Sequence, residues 1–497
     1  MKESSREGRK TPGVFFSQTA SLNNKKIGFH VPGHIGARFF DDRDCRRLID
    51  EDTTELSSTD DLHDPKGPVL ESLRFAAEVF GSAYSFFLCS GTTTGLRIML
   101  SAVLDEASVL LTSRPVHMSV VWTLSIIGCK YLFLPHKDPG LEGSAPLSMA
   151  DAKEMEDYLA VHPEITDILI TSPDYYGRCA NLCEYAKVAH RHGCRLLVDE
   201  AHGAHFAFGG DSFPETAMKA GADIAVQSLH KTLPALTPAA ILHVSEEAQA
   251  SGRVSRSRIA ERLRIYETSS PSFTIAASSD MAIRRMKQAG PEVFERTAKQ
   301  VRLLAGELRN IPGISVDAPT EEFTFDPLRL TIHTEASGYY APDIRDALER
   351  RGIFIEFADP VRLLAIFSVL HEDREFESFS SAMRQIMEQP EKEGLRRPEK
   401  LSEISRLMTR AYAGCPEQVM PLREAVFARR GASPIQLSAS AGRVCASPVA
   451  FYPPGIPVIW PGEKVPAELT ELLFLAQGLG LSLTGLSDGL FVPLDLK

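Results

Sequence analysis

Between about residues 80 and 244 the chain alternates short apolar, β-branched runs with stretches of helical period, and this alternation constrains its fold most strongly. The runs Ser85–Leu88, Ser108–Leu111, Tyr131–Leu134, Asp167–Thr171, Arg195–Asp199, Asp223–Gln227 and Ala240–Val244 predict strands. Gly95–Leu104, Met149–His162, Glu184–His192 and Phe213–Ala220 predict helices between them. Strands that are apolar along their whole length belong to a sheet covered on both faces. Alternation with helices makes that sheet doubly wound and mostly parallel, an α/β domain whose ligands bind beyond the carboxyl ends of the strands. After Thr268–Pro271 the pattern changes. Helices are expected over Phe273–Gln288 and Glu292–Asn310, and strands over Leu328–Thr334, Ile353–Phe357 and Leu363–Phe367, which predicts a smaller α+β unit. The charged stretch Gln389–Pro398, with a proline at each end, reads as a linker. The last segment, Leu401–Lys497, contains Tyr452-Pro-Pro-Gly-Ile-Pro457, too proline-rich for a helix or a central strand.

Composition narrows the partners. A chain of 497 residues is long enough for two or three units sharing a large core. Lys plus Arg number 54 against 65 Asp plus Glu, a formal charge of −11, and no long block of one sign occurs. Nucleic acid and anionic membrane are therefore not expected as partners. The opening MKESSREGRKTPG has no apolar core after its basic residues, so it is not expected to act as a secretory signal. Apolar stretches such as Tyr131–Pro135 and Val458–Trp460 fall far short of the roughly 20 residues of a spanning helix. The eight cysteines form no CxxC pair, and Cys179 with Cys183 has no second pair to close a zinc site. Reduced thiols in a cytoplasmic protein are the expectation.

Four elements carrying reactive groups follow predicted strands. Ser90-Gly-Thr-Thr-Thr-Gly95 opens a helix, and such a turn offers backbone N–H groups, hydroxyls and the positive end of the helix dipole to a phosphate. A plain capping turn is the alternative, and no GxxxxGK[ST] is present. Val198-Asp-Glu-Ala-His202 ends a strand on two carboxylates, where a buried acid needs a cationic partner to stay ionised; an Asp capping the next helix is the alternative. Asp199, Glu200, His202 and His205 without a further ligand cluster do not make a metal site, so no metal is expected. Lys231, in Ser228-Leu-His-Lys231, stands at a strand end in an apolar segment, where poor hydration lowers its pKa and favours imine chemistry; a lysine snorkelling to the surface is the alternative. His117, the fourth, reads on its own as a structural histidine more often than a functional one, but in company with the others it is a flat imidazole able to stack on a ring. Phosphate cradle, imidazole, acid and lysine on successive strand ends suit pyridoxal 5'-phosphate, which requires phosphate donors, an acid on its ring nitrogen and an imine lysine.

The ordered motifs resemble the ornithine/lysine/arginine decarboxylase family, of the aspartate-aminotransferase fold. They run from Pro32-Gly-His34, Asp52-Thr-Thr-Glu55 and Asp60-Asp-Leu-His63 through Ser90–Gly95, Arg114…His117 and Ser172-Pro…Tyr-Tyr-Gly177. They continue with Asp199-Glu-Ala-His-Gly-Ala-His205, Ser228–Leu233, Ser269-Ser-Pro-Ser272, Glu356 and Tyr452–Pro457. The resemblance implies that Lys231 forms the cofactor imine, Asp199 pairs with the ring nitrogen and His117 stacks on the ring. It implies that Thr93, Thr94 and Ser228 hold the phosphate, that His202 lies beside the ring, and that His230 assists proton transfer. Glu356, on a predicted strand, and Asp174, where the family usually carries Thr, are the acids expected to meet a cationic substrate. Further departures from the family pattern are Ile35 after Pro-Gly-His, Ser90, Met118, Pro238 and Ser447, on the substrate side more than the cofactor side. The implied domains are an N-terminal arm (1–60), a pyridoxal-phosphate-binding major domain (61–290), a small α+β domain (291–388), a linker (389–400) and a C-terminal domain (401–497). The implied reaction is decarboxylation of a basic amino acid, arginine before lysine or ornithine, in a homodimer or higher homo-oligomer of the short biosynthetic type. Diversion to transamination, oxidation or elimination, and a silent cofactor-binding homologue, are the alternatives.

Overall fold

The computed structural model describes residues 52–56, 58–134, 151–319, 324–427 and 433–494; Pro32-Gly-His34, Ile35 and most of the arm lie outside them. The seven expected strands of the major domain all form, each within one residue of its expected ends. They are β1 (Tyr84–Leu88), β2 (Val109–Thr112), β3 (Lys130–Phe133), β4 (Asp167–Thr171), β6 (Arg195–Asp199), β7 (Ile224–Ser228) and β8 (Ala240–Val244), with the two-residue β5 (Arg178–Cys179) falling outside this sheet. Their order is β1-β8-β7-β6-β4-β2-β3. β3, β2, β4, β6 and β7 run parallel, and β8 and β1 close the edge antiparallel. Every residue of β1, β2, β6 (Arg195 apart), β7 and β8 is buried, as two helix-covered faces require. The carboxyl ends of β4, β6 and β7 lie side by side, and Thr171, Asp199 and Ser228 finish them.

The helix after β1 starts at Gly91, four residues before the expected Gly95, and runs to Val103. It lies hard on the sheet: a Cβ at Gly95 would stand 2.3 Å from Val226 and 2.8 Å from Leu88. The expected helix Phe213–Ala220 does not form; the segment is a series of turns. Pro214 supplies no N–H, and the Ala217 N–H donates to the buried Glu200 carboxylate at 3.0 Å rather than to a helical ladder. Asp60 takes φ +75° and accepts N–H groups of Lys66, Gly67 and Val69 at 2.7–3.1 Å, so its motif is a chain clamp.

The second sheet contains β9 (Ser315–Val316), β11 (Arg329–His333), β12 (Phe357–Ala358) and β13 (Arg362–Ile366), while β10 (Thr324–Phe325) pairs back onto β5. The expected strand Ile353–Phe357 does not form over its length: regular pairing begins at Phe357, with the Glu356 N–H already reaching the Leu364 carbonyl at 3.0 Å, because Gly352 turns the chain at φ +76° and Phe354 stands out in solvent. Glu356 thus precedes the strand. The stretch Gln389–Pro398 is tied down, with a short helix Pro390–Glu393 and ion pairs from Glu393 to Arg351 at 2.6 Å and from Arg396 to Asp343 at 2.7 Å. Glu393 and Arg396, among the charges that read as a linker face, are thus partnered.

The third sheet is β14 (Val449–Phe451), flanked by β15 (Ile456–Ile459) and β16 (Leu483–Thr484). Pro457 is accommodated because β15 is an edge. This sheet docks on the major domain through Arg114, whose guanidinium is fully buried and bidentate to Glu463 at 2.5 and 2.8 Å, with Phe133 and Trp460 beneath it. Removing Glu463 would leave a buried cation unpaired, at a cost of about 3–5 kcal/mol. Glu463→Ala is therefore expected to lower the thermal unfolding midpoint by several degrees, read by circular dichroism. An unchanged midpoint would deny the pair its stabilising role. Among the described residues no helix is long and apolar enough to cross a membrane.

Candidate active site

Beyond the ends of β4, β6 and β7 lies a cavity of about 390 Å³. Its floor is Thr171, Asp199, His202 and Lys231, one wall is Ser90–Thr93, and Tyr452–Pro454 closes the far side. The helix wall is built to receive an anion. The N-cap Ser90 gives its helix no side-chain cap; its hydroxyl donates instead to Glu267 at 2.6 Å. The first backbone N–H groups are thus left uncapped at the dipole's positive end. Gly91 holds φ +76° at this turn, a conformation that a residue with a Cβ resists.

Thr93 lines the cavity, whereas Thr94 is buried on the helix's inner side and does not. Ser228 is also sealed off, and its hydroxyl bonds at 2.9 Å to that of Thr92, which does face the cavity. Thr92 was not singled out by the sequence, since three consecutive threonines carry no signal for which one turns inward.

Asp199 is buried and accepts the Ala201 N–H at 3.2 Å. Burial pushes its pKa up while the Lys231 charge pulls it down. Glu200, its neighbour, points away and is pinned by Gln227 at 2.7 Å and Ala217 at 3.0 Å; its pKa is pushed up to about 8 by burial. Lys231 is open to the cavity yet hemmed in by protein. Burial lowers its pKa, assisted by Arg329 and opposed by Asp199 and Glu356. Its Nζ lies 3.0 Å from His202 Nε2.

The imidazoles are set by their partners. His117 caps the helix Met118–Ile127, its Nδ1 accepting the Ser119 N–H at 3.1 Å, and burial then Lys231 lower its pKa to about 4. It is a neutral flat ring at physiological pH, and Gly455 sits against it. Met118 adds a backbone bond to the Gly455 carbonyl at 3.1 Å, which ties the Tyr452–Pro457 turn over the cavity. His230 lines the cavity and gives its Nδ1 proton to the Ala239 carbonyl at 2.8 Å, leaving Nε2 as an acceptor.

Two acids meet near Tyr175. Its hydroxyl donates to Glu356 at 2.8 Å, and Glu356 also lines an adjoining cleft of about 490 Å³. Asp174 is buried, with Oδ1 accepting the Arg178 N–H at 2.9 Å and Oδ2 lacking a partner. Burial pushes its pKa up to about 6 against the pull of Arg178 and Arg329. The Thr171 hydroxyl is likewise buried without a partner in the cavity floor.

Sequence reasoning missed Arg329 and Asp326, and gave His205 no role beyond its motif. Asp326 accepts from His205 at 2.8 Å and stands 3.3 Å from Arg329, whose guanidinium reaches the Tyr175 carbonyl at 2.5 Å and Nδ1 of His202. A charge on a short strand far along the chain ordinarily reads as solvent-facing, so only the spacing Asp326…Arg329 offered a signal.

The family model described as "Orn/Lys/Arg decarboxylase, major domain" matches residues 15–310, and "Orn/Lys/Arg decarboxylase, C-terminal domain" matches 405–485. An uncharacterised protein of Bacillus subtilis (strain 168), YaaO, is 35% identical, with 90% of each chain covered. An arginine decarboxylase of the same organism is 31% identical, with 94% of each chain covered. The crystal structure of the Francisella novicida lysine decarboxylase LdcF superposes with a TM-score of 0.80 at 18% identity, covering 97% of this chain and 81% of that one, a likeness of fold. By the extent of these matches, the chain belongs to the Orn/Lys/Arg decarboxylase family.

Proposed function

We propose that the protein is a pyridoxal-phosphate-dependent decarboxylase of a basic amino acid, arginine first and lysine or ornithine next. The observation that carries this reading is one cavity onto which a buried carboxylate, a lysine of lowered pKa and an uncapped helix N-terminus all open. The cofactor fits this donor set. The N–H groups and hydroxyls of Gly91–Thr93 suit its phosphate, and Asp199 suits a cationic ring nitrogen. His117 offers a neutral face for stacking, and the orphaned Thr171 hydroxyl is a polar group still in need of a partner. When bound, the cofactor supplies the sink for the electron pair left as CO2 departs. Asp199 keeps that sink electron-poor, and the cavity walls set which substrate bond breaks by orientation. The relative named arginine decarboxylase supports placing arginine first.

Reduction of the holoenzyme with borohydride should fix the cofactor covalently on the peptide containing Lys231, read by mass spectrometry. Label on another lysine, or none, overturns the assignment.

A cationic side chain entering this cavity needs acid partners. Glu356 offers an anion at the mouth, and Asp174 adds a second whose charge is present above about pH 6 and is lost below it. Because Glu356 is exposed, its pairing is screened, and Glu356→Gln should raise KM for arginine or lysine by about 10-fold. The substitution preserves an acceptor for Tyr175, so kcat and the cofactor's absorbance should change little. A fall in kcat at constant KM would remove Glu356 from substrate binding. Assembly as a homodimer or higher homo-oligomer in the cytoplasm belongs to the same proposal and rests on the family resemblance.

A further inference from the structure

Arg329 is the one buried guanidinium among the described residues that touches the lysine's own hydrogen-bond partner. It reaches there because Gly177, at φ +96°, leaves room: a Cβ on Gly177 would stand 3.0 Å from both Cβ and Cδ of Arg329. Asp326 holds the other side of the guanidinium, and His205 holds Asp326. The chain of contacts therefore runs from His205 through Asp326, Arg329 and His202 to Lys231.

We propose that Arg329 is a positioning residue that fixes the proton of His202 on Nε2 and thereby holds Lys231 as the free amine. A guanidinium only donates, so His202 Nδ1 must be bare where it meets Arg329. Burial, together with the Arg329 guanidinium beside it, drives the pKa of His202 well below the ordinary value, so the ring is neutral. A neutral imidazole with a bare Nδ1 carries its proton on Nε2, the atom 3.0 Å from Lys231 Nζ. That N–H can only be accepted by a nitrogen lone pair, which an ammonium lacks.

The inference rests on the reading of Lys231 as the imine-forming lysine. An amine adds to an aldehyde through its lone pair; the imine follows with loss of water, both of whose hydrogens leave from the nitrogen. The groups facing Lys231 do not all favour this form. Asp199 and Glu356 favour the ammonium, while Arg329 and burial favour the amine, and His117 and His230 are neutral neighbours lining the same cavity. His202 itself faces Lys231, Arg329, His117, His205 and the edge of Tyr175.

The test uses the full-length chain stripped of cofactor, labelled with trace acetic anhydride across a pH series and read peptide by peptide. The midpoint of Lys231 acetylation is referred to the exposed Lys187 in the same digests. In the wild type Lys231 should titrate below Lys187. Arg329→Met should raise the Lys231 midpoint by about one unit, and Arg329→Lys, which keeps the donor, should restore most of it. His202→Ala should raise it similarly while leaving the Arg329–Asp326 pair intact, which keeps the proposal testable if Arg329→Met fails to fold. In the His202→Ala background Arg329→Met should add less than half its original shift. An equal shift in both backgrounds would mean that Arg329 acts as a bare charge, and no shift in either single variant would mean that it does not act on Lys231; each overturns the proposal. Borohydride labelling of wild-type Lys231 is independent of these midpoints, so loss of the positioning role leaves the lysine assignment standing, and loss of the label removes both.

Discussion

Lys231→Ala is expected to lower kcat/KM by about 10⁴-fold or more, equivalent to about 5 kcal/mol of transition-state stabilisation. The loss is large because, on the proposed reading, one side chain serves twice: its amine takes up the cofactor, and it stands in the cavity floor beside Asp199 and His202, where a proton can be carried. Folding should survive, since Lys231 projects into the cavity and its backbone stands in the short helix Leu229–Thr232 anchored by the buried Leu229. The variant should also lose the borohydride-stable label. Turnover at the wild-type rate would show that another lysine carries the chemistry.

Asp199→Ala is expected to reduce turnover by about 10³-fold, the scale on which a single preorganised charge acts in a water-poor site. Phosphate capture by the helix wall does not involve Asp199, so the variant should still bind cofactor, and a titration of cofactor fluorescence should show modest weakening only. The neighbouring Glu200 cannot take over. Its two carboxylate oxygens are engaged by Ala217 and Gln227, and it does not face the cavity. Unchanged turnover in Asp199→Ala would place the ring-nitrogen partner elsewhere.

The sheet was legible because strands apolar along their full length have few alternatives, and the seven runs from Ser85 to Val244 were placed within a residue. The end of β6 on Asp199 and of β7 just before Lys231 followed from the same patterning, which is why these two residues and His117 do face one cavity. Local ambiguity produced the misses. Phe213–Ala220 carries helical spacing, but the decisive contact is with Glu200, which no local pattern contains. Thr94 and Ser228 were expected at the phosphate from their motif positions, and the helix phase turns Thr94 inward and gives Ser228 to Thr92. Glu356 reached the cavity although its strand begins one residue later, because the hydrogen bond from Tyr175 fixes the side chain and not the strand. Arg329 was invisible for the opposite reason. Its role depends on three partners, Tyr175, His202 and Asp326, and the first two of these come from a different domain pattern altogether.

The measurement that bears most directly on the account is to incubate the holoenzyme with arginine, lysine and ornithine and identify the products by mass while trapping released CO2. The expected product is the amine lighter than its substrate by one CO2, with arginine turned over most efficiently and trapped CO2 matching the amine mole for mole. A keto acid or an eliminated product in place of the amine, or a preference for an uncharged or acidic amino acid over all three, would contradict it.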